Sequence, residues 1–152
     1  MIHAPYMRWA KTRPMPLIDL AGSNLLPCTL DDLPGARDVL ELNGLNPDGY
    51  PPLLDAIAKR YGVPTTLVAT APGASGANFL VVAALVAAGD EVLVERPAYD
   101  PLLGTARLMG ARIRRFDRAF EDGFDLDVDR VQTALTPDTR LVVLTSPHNP
   151  SG

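Results

Sequence analysis

From Pro51 to the end of the chain, short β-branched segments alternate with segments of helical periodicity, and this alternation constrains the fold more than any other feature. Pro51 and Pro52 suit a first helical turn, and Leu53, Leu54, Ile57, Ala58 and Tyr61 then recur at helical spacing until Gly62 ends the run. The remaining pattern predicts strands over 66–70, 91–95, 112–116 and 141–145, with helices over 76–88, near 99–109 and near 128–135. Helices inserted between short strands read as βαβ units, so the expected class is α/β, a mainly parallel sheet with flanking helices. Gly89 and Asp90 supply a short helix-to-strand turn, and Asp127 stands where it can cap the last helix. Residues 1–50 differ. Pro14, Pro16, Pro34-Gly35, Asn43-Gly44 and Asn46-Pro47-Asp48-Gly49 punctuate an irregular arm with room for one short helix. The expected organisation is an arm over 1–50 and a sheet domain over 51–152. A four-stranded sheet whose last connection stops at Gly152 leaves an open edge and an uncovered helix face, so the expected fold is incomplete.

Charge and cysteine content remove several classes of partner. Fourteen basic residues stand against 18 acidic ones, and the arginines are dispersed, which argues against a nucleic-acid surface. Cys28 is the only cysteine, so an internal disulfide and a cysteine metal cluster are both excluded, and a reducing compartment fits. The start Met1-Ile2-His3-Ala4-Pro5-Tyr6 has neither the basic nor the apolar part of a signal peptide. The longest apolar run, residues 79–88, is about half a membrane span. The expectation is a cytoplasmic protein with no membrane segment.

Three stretches can carry chemistry, and each lies where a strand gives way to a loop. The first, Thr70-Ala71-Pro72-Gly73-Ala74-Ser75-Gly76-Ala77-Asn78, has the small residues, hydroxyl and free helix-start N–H groups of a phosphate cradle, with Ser75 read as a helix cap; tight packing alone also accounts for it. It is neither a Walker loop nor a dinucleotide G-x-G-x-x-G, because the required lysine and glycine positions are not filled. The second, Glu95-Arg96-Pro97-Ala98-Tyr99, ends a strand at the edge where open α/β sheets bind ligands. Tyr99 there either stacks on a planar heterocycle or packs at a helix start. The third, Thr145-Ser146-Pro147-His148-Asn149-Pro150-Ser151-Gly152, holds Asn149 as a neutral amide in a proline-fixed turn. His148 reads as a solvent-facing or turn-capping residue, since no catalytic partner for it is visible.

Taken together, Tyr50 to Ala58, Gly73 to Asn78, Ala88 to Val94, Pro97-Ala98-Tyr99 and His148-Asn149-Pro150-Ser151-Gly152 resemble class I/II (fold type I) pyridoxal-phosphate-dependent aminotransferases over roughly residues 15–152. The resemblance implies the N-terminal portion of an aspartate-aminotransferase-like large domain. It also implies that Ala74 and Ser75 contact the phosphate of pyridoxal 5'-phosphate, that Tyr99 stacks on the pyridine ring and that Asn149 bonds the phenolic oxygen. Gly22 resembles the glycine whose backbone lies near the substrate carboxylate. An amino acid and a 2-oxo acid are the implied substrates, and a homodimer the implied assembly.

In the family, the Schiff-base lysine, the pyridinium aspartate and the arginine for the substrate carboxylate follow the Asn-Pro motif, so by resemblance they lie beyond Gly152. The two lysines present, Lys11 and Lys59, match neither position. The expected function is amino-group transfer, with this chain alone inactive. The alternatives are a lyase on the same cofactor and a non-catalytic remnant that binds pyridoxal phosphate or another phosphate.

Overall fold

The computed structural model describes residues 5–18 and 26–152. Two compact units emerge, one built from Met1–Arg13 with Ala71–Gly152, the other from Pro14–Thr70. Helix α1 (Pro5–Thr12) belongs to the first. The second holds α2 (Ala36–Val39), α3 (Pro51–Tyr61) and single 3₁₀ turns at Leu30–Asp32 and Thr65–Leu67. The first unit continues with α4 (Gly73–Leu85), β1 (Glu91–Arg96), α5 (Asp100–Leu108), β2 (Arg112–Asp117), a 3₁₀ turn at Phe120–Asp122, α6 (Val128–Ala134) and β3 (Thr139–Val143).

In the second unit, α3 follows its sequence signals. Two prolines occupy its first turn, and Gly62 takes a left-handed conformation at φ +66°, letting the Ala58 carbonyl accept the final N–H groups. The strand expected over 66–70 does not form. Thr65–Leu67 closes a 3₁₀ turn and Val68 is extended, but no described strand lies beside it, and β-branched residues without a partner make no ladder.

The first unit carries a three-stranded, wholly parallel sheet of order β2-β1-β3. Val92 stands opposite Ile113 on one side and Leu141 on the other, and Val94 opposite Arg115 and Val143. As the central strand, β1 is buried from Glu91 through Glu95, with Val92, Leu93 and Val94 fully inaccessible. Burying each of those three contributes about 1.5–3 kcal/mol. Val92 and Val94 pack with Val82 of α4, with Val86 just after it, and with Leu103 and Ala106 from α5, so both helices cover one face. Strand residues alternate between faces, which puts Glu91, Leu93 and Glu95 on the other. There the Arg114 guanidinium of β2 donates to the Ala134 carbonyl at the end of α6 at 2.6 Å, which places α6 on that side.

Local turns set these placements. Helix α4 ends at Leu85, three residues short of the expected stop, because the Asp90 carboxylate accepts the Ala87 N–H at 2.8 Å and Gly89 turns the chain at φ +91°. Asp127 caps α6 by accepting the N–H groups of Asp129 and Arg130, as its position predicts. At the start of β1, the Glu91 carboxylate accepts the hydroxyls of Thr136 and Thr139, each at 2.7 Å, tying β1 to the turn before β3.

The hydroxyls of Thr139 and then Thr136 hold the Glu91 carboxyl below the usual carboxylate range. A carboxyl depressed in the folded state stabilises the fold fully above its unfolded value, and that contribution disappears as pH falls through the lowered one. Urea midpoints followed below about pH 5 should therefore fall less steeply for Glu91→Gln than for the wild-type chain. Parallel curves would show that Glu91 adds nothing to acid sensitivity.

Candidate functional site

The C-terminal ends of all three strands meet at one carboxylate. Glu95, next to last in β1, is fully inaccessible. Its Oε1 accepts both the N–H and the hydroxyl of Thr145, just after β3, at 2.7 Å each. Its Oε2 accepts Nη1 of Arg118, just after β2, at 3.0 Å. The Arg118 side chain is only 11% exposed, and it also donates to the carbonyls of Phe124 at 2.5 Å and Thr145 at 3.3 Å. Phe124 reaches its position with a left-handed φ of +62°, unusual for an aromatic residue, and its ring lies 5.8 Å from that of His148.

His148 extends this cluster into the loops. Its Nε2 lies 3.2 Å from the Pro97 carbonyl and 4.0 Å from Glu95 Oε2, and its Nδ1 lies 2.6 Å from the Ser151 hydroxyl. A carbonyl only accepts, so Nε2 carries the proton. His148 is 3% exposed, which corrects the solvent-facing reading: with Glu95 and Phe124 beside it and both ring nitrogens engaged, the imidazole lies in the interior. The Thr145 hydroxyl, besides donating to Glu95, accepts the Asn149 N–H at 2.9 Å.

The residues singled out from the sequence lie around this cluster, apart from Gly22, which is outside the described residues. Tyr99 directly precedes α5 and is half-buried; its hydroxyl contacts Met7 Sδ of α1 at 3.3 Å and its ring meets Tyr6 edge-on at 6.5 Å. The Tyr6 N–H also donates to Asp100 at 3.3 Å, so α1 is held against the start of α5. Asn149 is exposed, in the loop after β3. Ala74 and Ser75 lie in the first turn of α4, which begins at Gly73; Ser75 is therefore inside the helix rather than its cap, and no side chain caps that end. Helix α4 spans about 20 Å, the length of β1, and returns to it through a short turn. The loops of Tyr99 and Asn149 are brought together through His148 and Pro97.

Sequence reasoning did not identify Glu95, Arg118, Thr145 and His148 as a unit. One signal was present: Glu95 continues the buried run Val92-Leu93-Val94, and a carboxylate in a strand apolar on both faces requires partners. Its partners come from residues 23 and 50 positions away, beyond the reach of local periodicity. Among the described residues, no group of three or more His, Cys, Asp or Glu is arranged to hold a metal ion.

A family model described as aminotransferase class I and II matches residues 22–152. The chain is 34% identical over 137 residues to the histidinol-phosphate aminotransferase of Methanococcoides burtonii, covering 86% of this chain and 37% of that protein. It is 42% identical over 89 residues to capreomycidine synthase of Streptomyces vinaceus, covering 59% of this chain and 23% of that one. An aspartate aminotransferase mutant from Thermus thermophilus superimposes with a TM-score of 0.68 at 31% identity, over 71% of this chain and 31% of its own. The alanine aminotransferase of Pyrococcus furiosus, at 24% identity, shares the fold with a TM-score of 0.70 over 77% of this chain and 31% of its own. The α/β fold with its small parallel sheet is thus aspartate-aminotransferase-like over the shared part. This chain spans 23% to 37% of the length of those two curated relatives.

Within the cluster, the Glu95–Arg118 pair is buried, and removing one partner of such a pair leaves the other charge uncompensated. Arg118→Met should lower stability by about 3–5 kcal/mol, read from urea unfolding. A change below about 1 kcal/mol would place this pair with exposed ion pairs.

Proposed function

We propose, for a chain that belongs to the class I and II aminotransferase family, that it forms the cofactor-facing N-terminal part of an enzyme transferring an amino group between an amino acid and a 2-oxo acid. The observation that carries this reading is the pairing of two loops at one edge of a parallel sheet, the loop bearing Tyr99 and the loop bearing Asn149, joined through His148 and Pro97. The strand order reverses between β1 and β3, and open α/β sheets bind ligands outside the strand ends at such a reversal.

The residues present fit pyridoxal phosphate. Helix α4 has no side-chain cap, so its first N–H groups are left for an anion, and a Cβ built on Gly73 would meet nothing within 4 Å, so the approach is open. Pyridoxal phosphate, when bound, supplies the electron sink for the transfer. In this assignment, the Ala74 and Ser75 N–H groups and the Ser75 hydroxyl hold the phosphate. The Tyr99 ring stacks on the pyridine, fixed at its hydroxyl by Met7. The exposed Asn149 amide donates to the phenolic oxygen. Gly22 is assigned to the substrate carboxylate on family resemblance.

Lys11 and Lys59 lie exposed on α1 and α3, and neither is proposed as the reactive lysine, so the 152-residue chain is expected to be inactive alone. The full-length enzyme is proposed as a cytoplasmic homodimer. No described helix is long and apolar enough to cross a membrane. A second reading, different chemistry on the same cofactor, is favoured by one relative, capreomycidine synthase, whose name is not that of an aminotransferase.

Full-length protein incubated with pyridoxal phosphate, an amino acid and a 2-oxo acid should form the exchanged pair, detected by chromatography. Ser75→Ala should weaken cofactor binding on the order of tenfold in an absorbance titration. Elimination products without amino transfer would favour the second reading, and no cofactor-dependent product would refute both. The 152-residue chain should show no turnover and no borohydride-stable label; a label on Lys11 or Lys59 would overturn the lysine assignment.

A further inference from the structure

We propose that Glu95, Thr145 and His148 act as positioning residues that hold the Tyr99 and Asn149 loops in a fixed relation, so that ring stacking and the phenolic-oxygen bond are set by one buried network. The inference deepens the cofactor assignment above and rests on it.

The network runs without a gap. Glu95 Oε1 accepts the N–H and hydroxyl of Thr145, which fixes that hydroxyl's proton and leaves its lone pairs for the Asn149 N–H at 2.9 Å. Asn149 is exposed and its side chain free to meet a ligand, yet its backbone is anchored to a fully buried carboxylate through one intermediate oxygen. From the same loop, His148 reaches across to the Pro97 carbonyl, two residues before Tyr99. Its other nitrogen is satisfied by Ser151 within the loop. An imidazole with an inaccessible side chain and both nitrogens engaged is a strut between loops rather than a proton shuttle. Arg118 neutralises Glu95 from the end of β2, so the carboxylate is held without an unpaired charge.

Two measurements test this separately from the cofactor assignment. In the purified chain, hydrogen exchange at the Asn149 amide should be slow in the wild type, slow in Thr145→Ser, and roughly tenfold faster in Thr145→Val. Equal exchange in all three would overturn the network, whatever the protein binds. In full-length protein, Thr145→Val should weaken pyridoxal phosphate binding on the order of tenfold and shift its visible absorbance, with Thr145→Ser restoring both. The double variant Thr145→Val with Asn149→Ala should be no worse than Asn149→Ala alone, because Thr145 acts through Asn149. Additive losses would overturn the positioning role. His148→Gln, which keeps a donor for the Pro97 carbonyl, should retain more affinity than His148→Leu; equal affinities would remove His148 from the network. Intact exchange differences in a protein that does not bind pyridoxal phosphate would refute the cofactor assignment and, with it, the role given to the network, while leaving the network itself in place.

Discussion

The buried Glu95 carboxylate is the interaction on which the strand ends depend. Taking an ionised carboxylate out of water costs several kcal/mol even after relaxation. That cost is offset only because each neighbouring strand end delivers a donor: Arg118 after β2, and the N–H and hydroxyl of Thr145 after β3. In a parallel sheet all C-terminal ends lie on one edge, so a single group on the central strand can reach both flanks. An antiparallel neighbour would present a strand start at that place. The second carboxylate of β1, Glu91, does the corresponding work at the opposite edge with Thr136 and Thr139. Glu91, Leu93 and Glu95 therefore form one polar-apolar-polar row on the α6 face, while Val92 and Val94 belong to the apolar cluster on the other.

Topology then determines where a ligand site can form. The chain leaves β1, crosses through α5 to β2, and returns through α6 to β3 on the far side of β1. Connections that run in opposite directions put their helices on opposite faces, which opens a crevice between the loops after β1 and β3. Tyr99 and Asn149 emerge there. The loops at this point are not left to their own turn preferences, because His148 links one to the other across a 51-residue separation in sequence.

Much of this was legible in the sequence, for identifiable reasons. Strand positions were readable because β1 and β2 are bounded by turn residues, and α3 and α6 because their caps, Pro51-Pro52, Gly62 and Asp127, act locally. The start of α4 was misplaced because its sequence is apolar on every side and carries no phase to mark a boundary. The absence of a strand over 66–70 has a different origin: β-branched composition is visible in the sequence, but the lack of a partner strand is not. Composition likewise gave no sign of α1, an eight-residue helix in a stretch read as irregular, whose Tyr6 and Met7 meet Tyr99 more than 90 positions away. His148 was misjudged because a histidine beside proline and asparagine reads as turn chemistry, whereas its burial depends on Phe124, Pro97 and Glu95 arriving from three separate segments.

Polar groups at this edge fall into two sets, and the division separates structure from recognition. Glu95, Thr145, His148 and Arg118 are buried or nearly so, and their donors and acceptors are matched within the chain. The Asn149 amide is exposed, and no side chain caps the first turn of α4. A fold that left the first set unmatched would lose stability at once, whereas the second set costs little while water can reach it. Groups that stay free beside a buried network whose bonds are made within the chain are already oriented before a ligand arrives, so the entropy of ordering them is spent in folding rather than in binding. That separation explains how one short sheet can hold two loops rigidly and still present unpaired hydrogen-bonding groups along the same edge.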